Sequence, residues 1–187
     1  MPTFTKQAIM DAFLWLLRKK PFRKVTVRDI VEACGVNRTT FYYYYQDIFA
    51  IVEDLALAAL SPYAAALVGE GDEAALREAS EFACLYRRPL RTLWEGLGEE
   101  AVRRYVFAVL DEPIRRMVLA NAEGMAVTLA DIEAVRLLVR ETLLGFFGLF
   151  VRGELPDGVG ALAMATRGTV RTLLENTANA RKGGEKK

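Results

Sequence analysis

A short corner near the N-terminus restricts the fold more than any other part of the sequence. Thr26 is a good helix cap, and Asp29 stands three residues on, where a capping-box acid belongs. Gly35 then stops the helix, as glycine does just past a helix end. Asn37 can cap a new helix over Arg38 to Tyr44. Two brief helices joined only by Gly35-Val36-Asn37 must turn sharply, which is the helix-turn-helix layout. Any helical bundle contains such corners, so this one fixes local geometry without fixing a function.

The rest of the chain also reads as helix. Ile9, Ala12, Phe13, Leu16 and Leu17 recur at helical spacing over about Lys6 to Lys19, and Pro21 ends that segment. A fourth helix starts near Asp47 and bends at Pro62. Further helices follow at about 73 to 87, 89 to 96, 99 to 121, 129 to 152 and 158 to 180, with Pro156-Asp157-Gly158 before the last. No stretch alternates apolar and polar residues as a strand does. The expected class is all-α, with a three-helix N-terminal unit over 1–46, a larger helical domain over 47–180 and a disordered tail over 181–187.

Composition removes several chemistries. The chain has no histidine, which takes away the commonest general base and zinc ligand. Two cysteines far apart build no disulfide framework. There is no phosphate-cradling glycine loop and no metal-ligand cluster, so neither enzyme activity nor a cofactor or metal is expected. Glu99-Glu100 and Asp111-Glu112 are adjacent pairs, which do not face one another on a helix. No run reaches the roughly 18 apolar residues of a membrane helix, and the start lacks a signal-peptide layout. A cytoplasmic protein with no membrane partner is expected. Residues 1–46 carry eight basic side chains against three acidic ones, whereas the remainder is slightly acidic. A basic module on an acidic body points to a polyanion partner for the module.

The run Phe41-Tyr42-Tyr43-Tyr44-Tyr45 sharpens this. At 100° per residue, Phe41 and Tyr45 fall together and continue into Ile48 and Phe49, which makes them the core seam. Thr39, Thr40 and Tyr43 lie opposite, flanked by Tyr44 on one side and by Tyr42 and Arg38 on the other. Exposed phenols beside threonines and arginine suit DNA, because hydroxyls bond phosphates while rings pack on sugars and thymine methyls.

Residues 6 to 55 resemble the DNA-binding domain of the TetR family of bacterial regulators. The run VTVRDIVEACGVNRTTFYYYYQDIFAIVEDL carries the likeness, through Thr26-Val27, Ala33, Gly35-Val36, Thr40, Phe41, Tyr42, Tyr44 and Tyr45. The resemblance implies a homodimer on near-palindromic operator DNA, with a small-molecule effector held in the body and dimerisation through the last two helices. It implies phosphate contacts from Thr26 and Tyr42, and groove contacts from Arg28, Arg38, Thr39, Thr40 and Tyr43. Asn37 and Tyr44 complete the candidate DNA-contacting set. The family's usual lysine at the start of the fourth helix is Ile48 here, and its role passes to Tyr44, Gln46 or a basic residue near Lys24.

In the body, Phe82, Tyr86, Trp94, Tyr105, Phe107 and Met117 are the candidate ligand-binding residues. Each taken singly is more simply core, yet pockets are built from such side chains. Gly145 and Gly148 sit in the apolar run 143–151, where interior glycines imply close helix approach. Leu144, Gly145, Phe147, Gly148 and Val170 are the candidate dimer interface. The expected function is a sequence-specific regulator, a repressor released by an apolar or weakly anionic ligand. The alternative is an activator or co-regulator without its own small effector.

Overall fold

The computed structural model describes residues 2–69, 73–155 and 159–184, all helices and their connections. Helix α1 (Pro2–Lys19) begins earlier than its apolar stripe and stops just before Pro21. Pro21 is extended, and Phe22–Lys24 then form a 3-10 turn that the sequence did not signal. That turn buries Phe22.

Helix α2 (Val27–Cys34) opens on a full capping box. The Asp29 N–H donates to Thr26 Oγ1 at 3.2 Å, and the Thr26 N–H donates to Asp29 Oδ2 at 2.8 Å. Gly35 closes the helix at φ 72°, a left-handed conformation that costs a residue with a Cβ much more. Helix α3 (Arg38–Tyr44) is capped by Asn37, whose Oδ1 accepts from the Thr40 N–H at 2.7 Å. Tyr45 leaves the helix in an extended conformation.

Helix α4 (Ile48–Val68) is capped by Asp47 and runs on through Pro62. It is long and apolar enough to cross a membrane by length and composition. Here it is an inner helix of the bundle, burying Ile51, Val52, Leu55, Tyr63, Ala66 and Leu67. Helices α5 (Glu73–Leu85), α6 (Arg87–Leu97), α7 (Glu99–Ala122), α8 (Leu129–Arg152) and α9 (Val159–Gly184) complete the described chain. Thr128 and Asp131 repeat the capping box at the start of α8. The tail expected to begin at 181 is helical to Gly184, while 185–187 and the 156–158 breaker lie outside the described residues.

Two main cores result. The first joins α1, α2, α3 and the first turns of α4 around Ile9, Phe13, Leu17, Ile30, Phe41 and Ile51, with Leu93 of α6 added. Burying each such large side chain contributes about 1.5–3 kcal/mol before entropy is counted. The second core joins α4, α7, α8 and α9 around Leu67, Leu110, Ile114, Val118, Leu144, Val170 and Leu174. Helix α4 belongs to both, and α7 is its main partner.

Candidate nucleic-acid interface and cavity

The two sides of α3 differ as the alternation of its side chains requires. Phe41 is fully buried and Tyr45 is 3% exposed, whereas Tyr42 is 55% and Tyr43 80% exposed. Tyr45 fills the first core, and its hydroxyl donates to Asp54 Oδ2 at 2.9 Å. Lys6 forms an ion pair with the same carboxylate and lies over the Tyr45 ring at 5.5 Å. Burial, reinforced by the Asp54 contact, pushes the Tyr45 phenol well above its usual range, so it remains protonated as the donor. Tyr45 is therefore a structural clamp between α3 and α4. Asp54 and Lys6 were not singled out from the sequence, because exposed-looking charges nine and 39 positions from a tyrosine carry no periodic signal.

The outward face presents Arg38, Thr39, Tyr42 and Tyr43, all exposed, with Thr40 and Tyr44 half-buried. The Tyr44 ring meets Tyr43 edge-on at 4.9 Å and packs against the first core. Tyr42 is held edge-on against Phe41 at 5.4 Å. Each exposed phenol thus rests on an anchored neighbour, which limits the rotamer freedom it would lose on meeting a ligand. Arg28 is exposed and ion-paired with Glu32 at 2.7 Å. Thr26 stands at the start of α2, but its hydroxyl donates to Asp29 Oδ2 at 2.6 Å. Lys20 pairs with that carboxylate at 2.7 Å. These contacts, the Lys20 bond first and Thr26 second, hold the Asp29 carboxyl down at about 2. Asn37 Oδ1 is likewise committed to capping. At the start of α4, Gln46 is exposed and Ile48 is half-buried against the first core.

The body contains an apolar cavity of about 70 Å³ between α4, α6 and α7. Val52, Leu55, Ala59 and Leu60 form one wall, Leu90, Leu93, Trp94 and Leu97 another, and Tyr105, Val106 and Phe147 close it. Among the described residues, no charged side chain lines it. Burial raises the Tyr105 phenol above its usual range. Of the ligand candidates, Trp94 and Tyr105 line this cavity. Phe82 and Tyr86 instead pack on each other at 4.5 Å, and Arg18 covers Tyr86. Phe107 and Met117 are spent in the second core, with the Arg140 guanidinium over the Phe107 ring at 4.1 Å. The aliphatic walls from α4 and α6 escaped sequence reading because a cavity-lining leucine has the same spacing as a core leucine.

The dimer candidates separate in the same way. Leu144 and Val170 are buried inside the second core, and Gly148 is buried where an added Cβ would meet Trp94 at 3.3 Å. Phe147 rests on Trp94 with ring centroids 5.7 Å apart. Four of the five are therefore turned into their own chain. Gly145 is exposed, with open space where a Cβ would stand.

Comparison with known proteins supports the local reading. Residues 9–55 match the family described as bacterial regulatory proteins, tetR family. The N-terminal domain belongs to the tetR family. The Bacillus subtilis (strain 168) protein named "Uncharacterized HTH-type transcriptional regulator YxbF" is 34% identical over 55 residues. That segment is 29% of this chain and only 14% of the relative's length. The solved structure of "Dihydroxyacetone kinase operon activator DhaS" superposes with a TM-score of 0.64 over 91% of this chain and 96% of that one. At 11% identity the likeness is one of fold, and it extends from the tetR-type domain through the helical body.

Proposed function

We propose that this protein is a sequence-specific DNA-binding transcriptional regulator that acts as a homodimer. The observation that carries the reading is the outward face of α3. Arg38, Thr39, Tyr42 and Tyr43 are exposed on a helix whose inner face is locked by Phe41 and by Tyr45 bonded to Asp54. A rigid helix presenting guanidinium, hydroxyl and phenol groups matches major-groove and phosphate chemistry. Arg28 and Asn37 flank it, and the Thr26 hydroxyl acts through the capping box that sets the position of α2. The apolar cavity is the proposed effector site, and its uncharged lining favours an uncharged ligand over an anionic one. Ligand entry that moves α4 or α6 would release operator DNA, which makes the protein a repressor.

The size of the cavity favours a second reading. About 70 Å³ is below the ~300–1,000 Å³ of ordinary ligand sites. An activator or co-regulator with no small effector of its own fits that volume. The proposed dimer surface is the outer face of α8 with α9, where Leu138 and Gly145 lie two turns apart and exposed. A mobility-shift titration with promoter DNA from the adjoining genes tests the core of the proposal. Nanomolar binding, competed poorly by unrelated DNA, is expected. Equal affinity for every duplex would refute sequence-specific regulation. Release by small uncharged hydrophobes separates the repressor reading from the effector-free one.

A further inference from the structure

A second concave site lies outside both the α3 face and the apolar cavity. A cleft of about 500 Å³ opens between the end of α1, the 3-10 turn and α6. Arg18, Lys19, Lys20 and Arg23 form one wall and Arg88 stands on the other. Among the described residues of the lining the one carboxylate, Glu95, is paired with Arg91 at 2.8 Å. Lys20 is paired with Asp29. Among the described residues, no carboxylate lies within ion-pair distance of Arg18, Lys19, Arg23 or Arg88. Such a concentration of one sign in a concavity repels itself and is stabilised by a multivalent anion.

Two of the guanidiniums are already positioned. Arg18 Nη2 donates to the Leu85 carbonyl at 3.2 Å, and Arg23 Nε donates to the Gly96 carbonyl at 3.1 Å. Tyr86 under Arg18, at 5.1 Å, and Trp15 beside Lys19, at 5.5 Å, further restrict those cations. Neutral carbonyl and aromatic partners hold the side chains without cancelling their charge. Guanidinium forks match the paired oxygens of phosphate better than they match a halide, and four uncancelled cations exceed what a monoanion neutralises.

We propose that this cleft binds a phosphate-bearing anion of at least two negative charges, bridging the tetR-type domain and α6. The convergence of cations from two walls into a concavity favours a free phosphorylated small molecule over the backbone of a duplex, whose phosphates carry one charge each. Inorganic pyrophosphate is the probe. Calorimetric titration of the full chain in magnesium-free buffer should show saturable binding, with acetate at matched ionic strength giving none. Arg88→Glu and Lys19→Glu change opposite walls at exposed positions, so each should fold normally and weaken pyrophosphate binding by roughly tenfold or more. The salt dependence of binding to a random-sequence duplex distinguishes the source. An unchanged slope in Arg88→Glu assigns the cleft to a small molecule. A slope flattened by about one unit per subunit, with weak pyrophosphate binding, assigns it to a DNA phosphate and overturns the proposal. The proposal is overturned if pyrophosphate binds no better than acetate and the slope is unaltered. It is equally overturned if neither variant weakens pyrophosphate.

Discussion

Gly96 and Gly145 are both helical glycines, yet replacing each with alanine should move stability in opposite directions. Alanine is favoured over glycine in a helix interior by about 1 kcal/mol. At Gly145 an added Cβ meets nothing within 4 Å, so the propensity gain should appear undiminished in the isolated chain. At Gly96 the same atom would stand 2.7 Å from Phe22 Cβ, with Cδ1 at 3.2 Å. Carbon atoms pack at about 3.5–4.0 Å, so α6 and the 3-10 turn must separate by roughly 1 Å. Phe22 cannot swing aside, because the clashing atom is its own Cβ, fixed by the backbone in a buried site. Overpacking of this kind costs about 1–3 kcal/mol. Separation would also strain the Arg23 bond to the Gly96 carbonyl. The net expectation for Gly96→Ala is a loss of about 0–2 kcal/mol or more, against a gain of about 1 kcal/mol for Gly145→Ala. In a chain of this length each kcal/mol shifts the melting temperature by about 2–4 °C. Thermal denaturation at concentrations where the protein is monomeric reads both variants. If Gly96→Ala stabilises as much as Gly145→Ala, the close approach between α6 and Phe22 is wrong. If Gly145 meets a second copy, Gly145→Ala should also weaken self-association in sedimentation experiments.

The tyrosines should divide by role: Tyr43→Ala should stay within about 0.5 kcal/mol of wild-type stability and lose DNA affinity. Tyr45→Phe should lose about 1–2 kcal/mol while binding DNA normally once folded, because Asp54 keeps Lys6 as a partner. Equal effects of both changes on stability would sink the division. Asp29 has a folded-state pKa depressed to about 2 from 3.8, so its contribution is present above 3.8 and is lost as pH falls towards 2. Acid titration of Asp29→Asn should lack that part of the wild-type decline, and identical acid curves would refute the Lys20–Asp29–Thr26 cluster. Binding of operator DNA by a dimer, with about six phosphates neutralised, should give a log–log salt slope near −5, and a slope near zero would exclude phosphate contact.

The local signals in the sequence were strong where one residue type does one job. Thr26 with Asp29, Gly35 and Asn37 set the ends of α2 and α3, because capping needs only neighbouring atoms. The inward side of the tyrosine run was legible from 100° spacing. The 3-10 turn after Pro21 was not, since three residues offer no period to detect. The cavity walls were hidden because Leu55, Leu60, Leu93 and Leu97 repeat at helical spacing whether they meet a void or a neighbour. The inward direction of Phe147 and Gly148 was missed for a related reason. A helix apolar around most of its surface signals burial on several sides without saying which neighbour supplies it, and here Trp94 does.

Helix α4 contributes Ile51, Val52 and Leu55 to one core and Leu67 to the other. Its hydrogen-bond ladder already lacks a rung at Pro62, so the side chains buried in the two cores, more than the ladder, tie its ends together. The expected consequence is loss of modularity. Cutting the chain after residue 46 would remove four buried residues from the first core, Leu93 among them, and the Asp54 acceptor from Tyr45, so the short fragment should not hold its fold. A chimera that borrows this DNA-reading head would need its junction beyond Leu55. Even then it would inherit a seam with Leu93, which α6 supplies from beyond α4. Swapping heads between such proteins is therefore a repacking problem across α4 and α6, and native-state hydrogen exchange should show the two halves of α4 opening together.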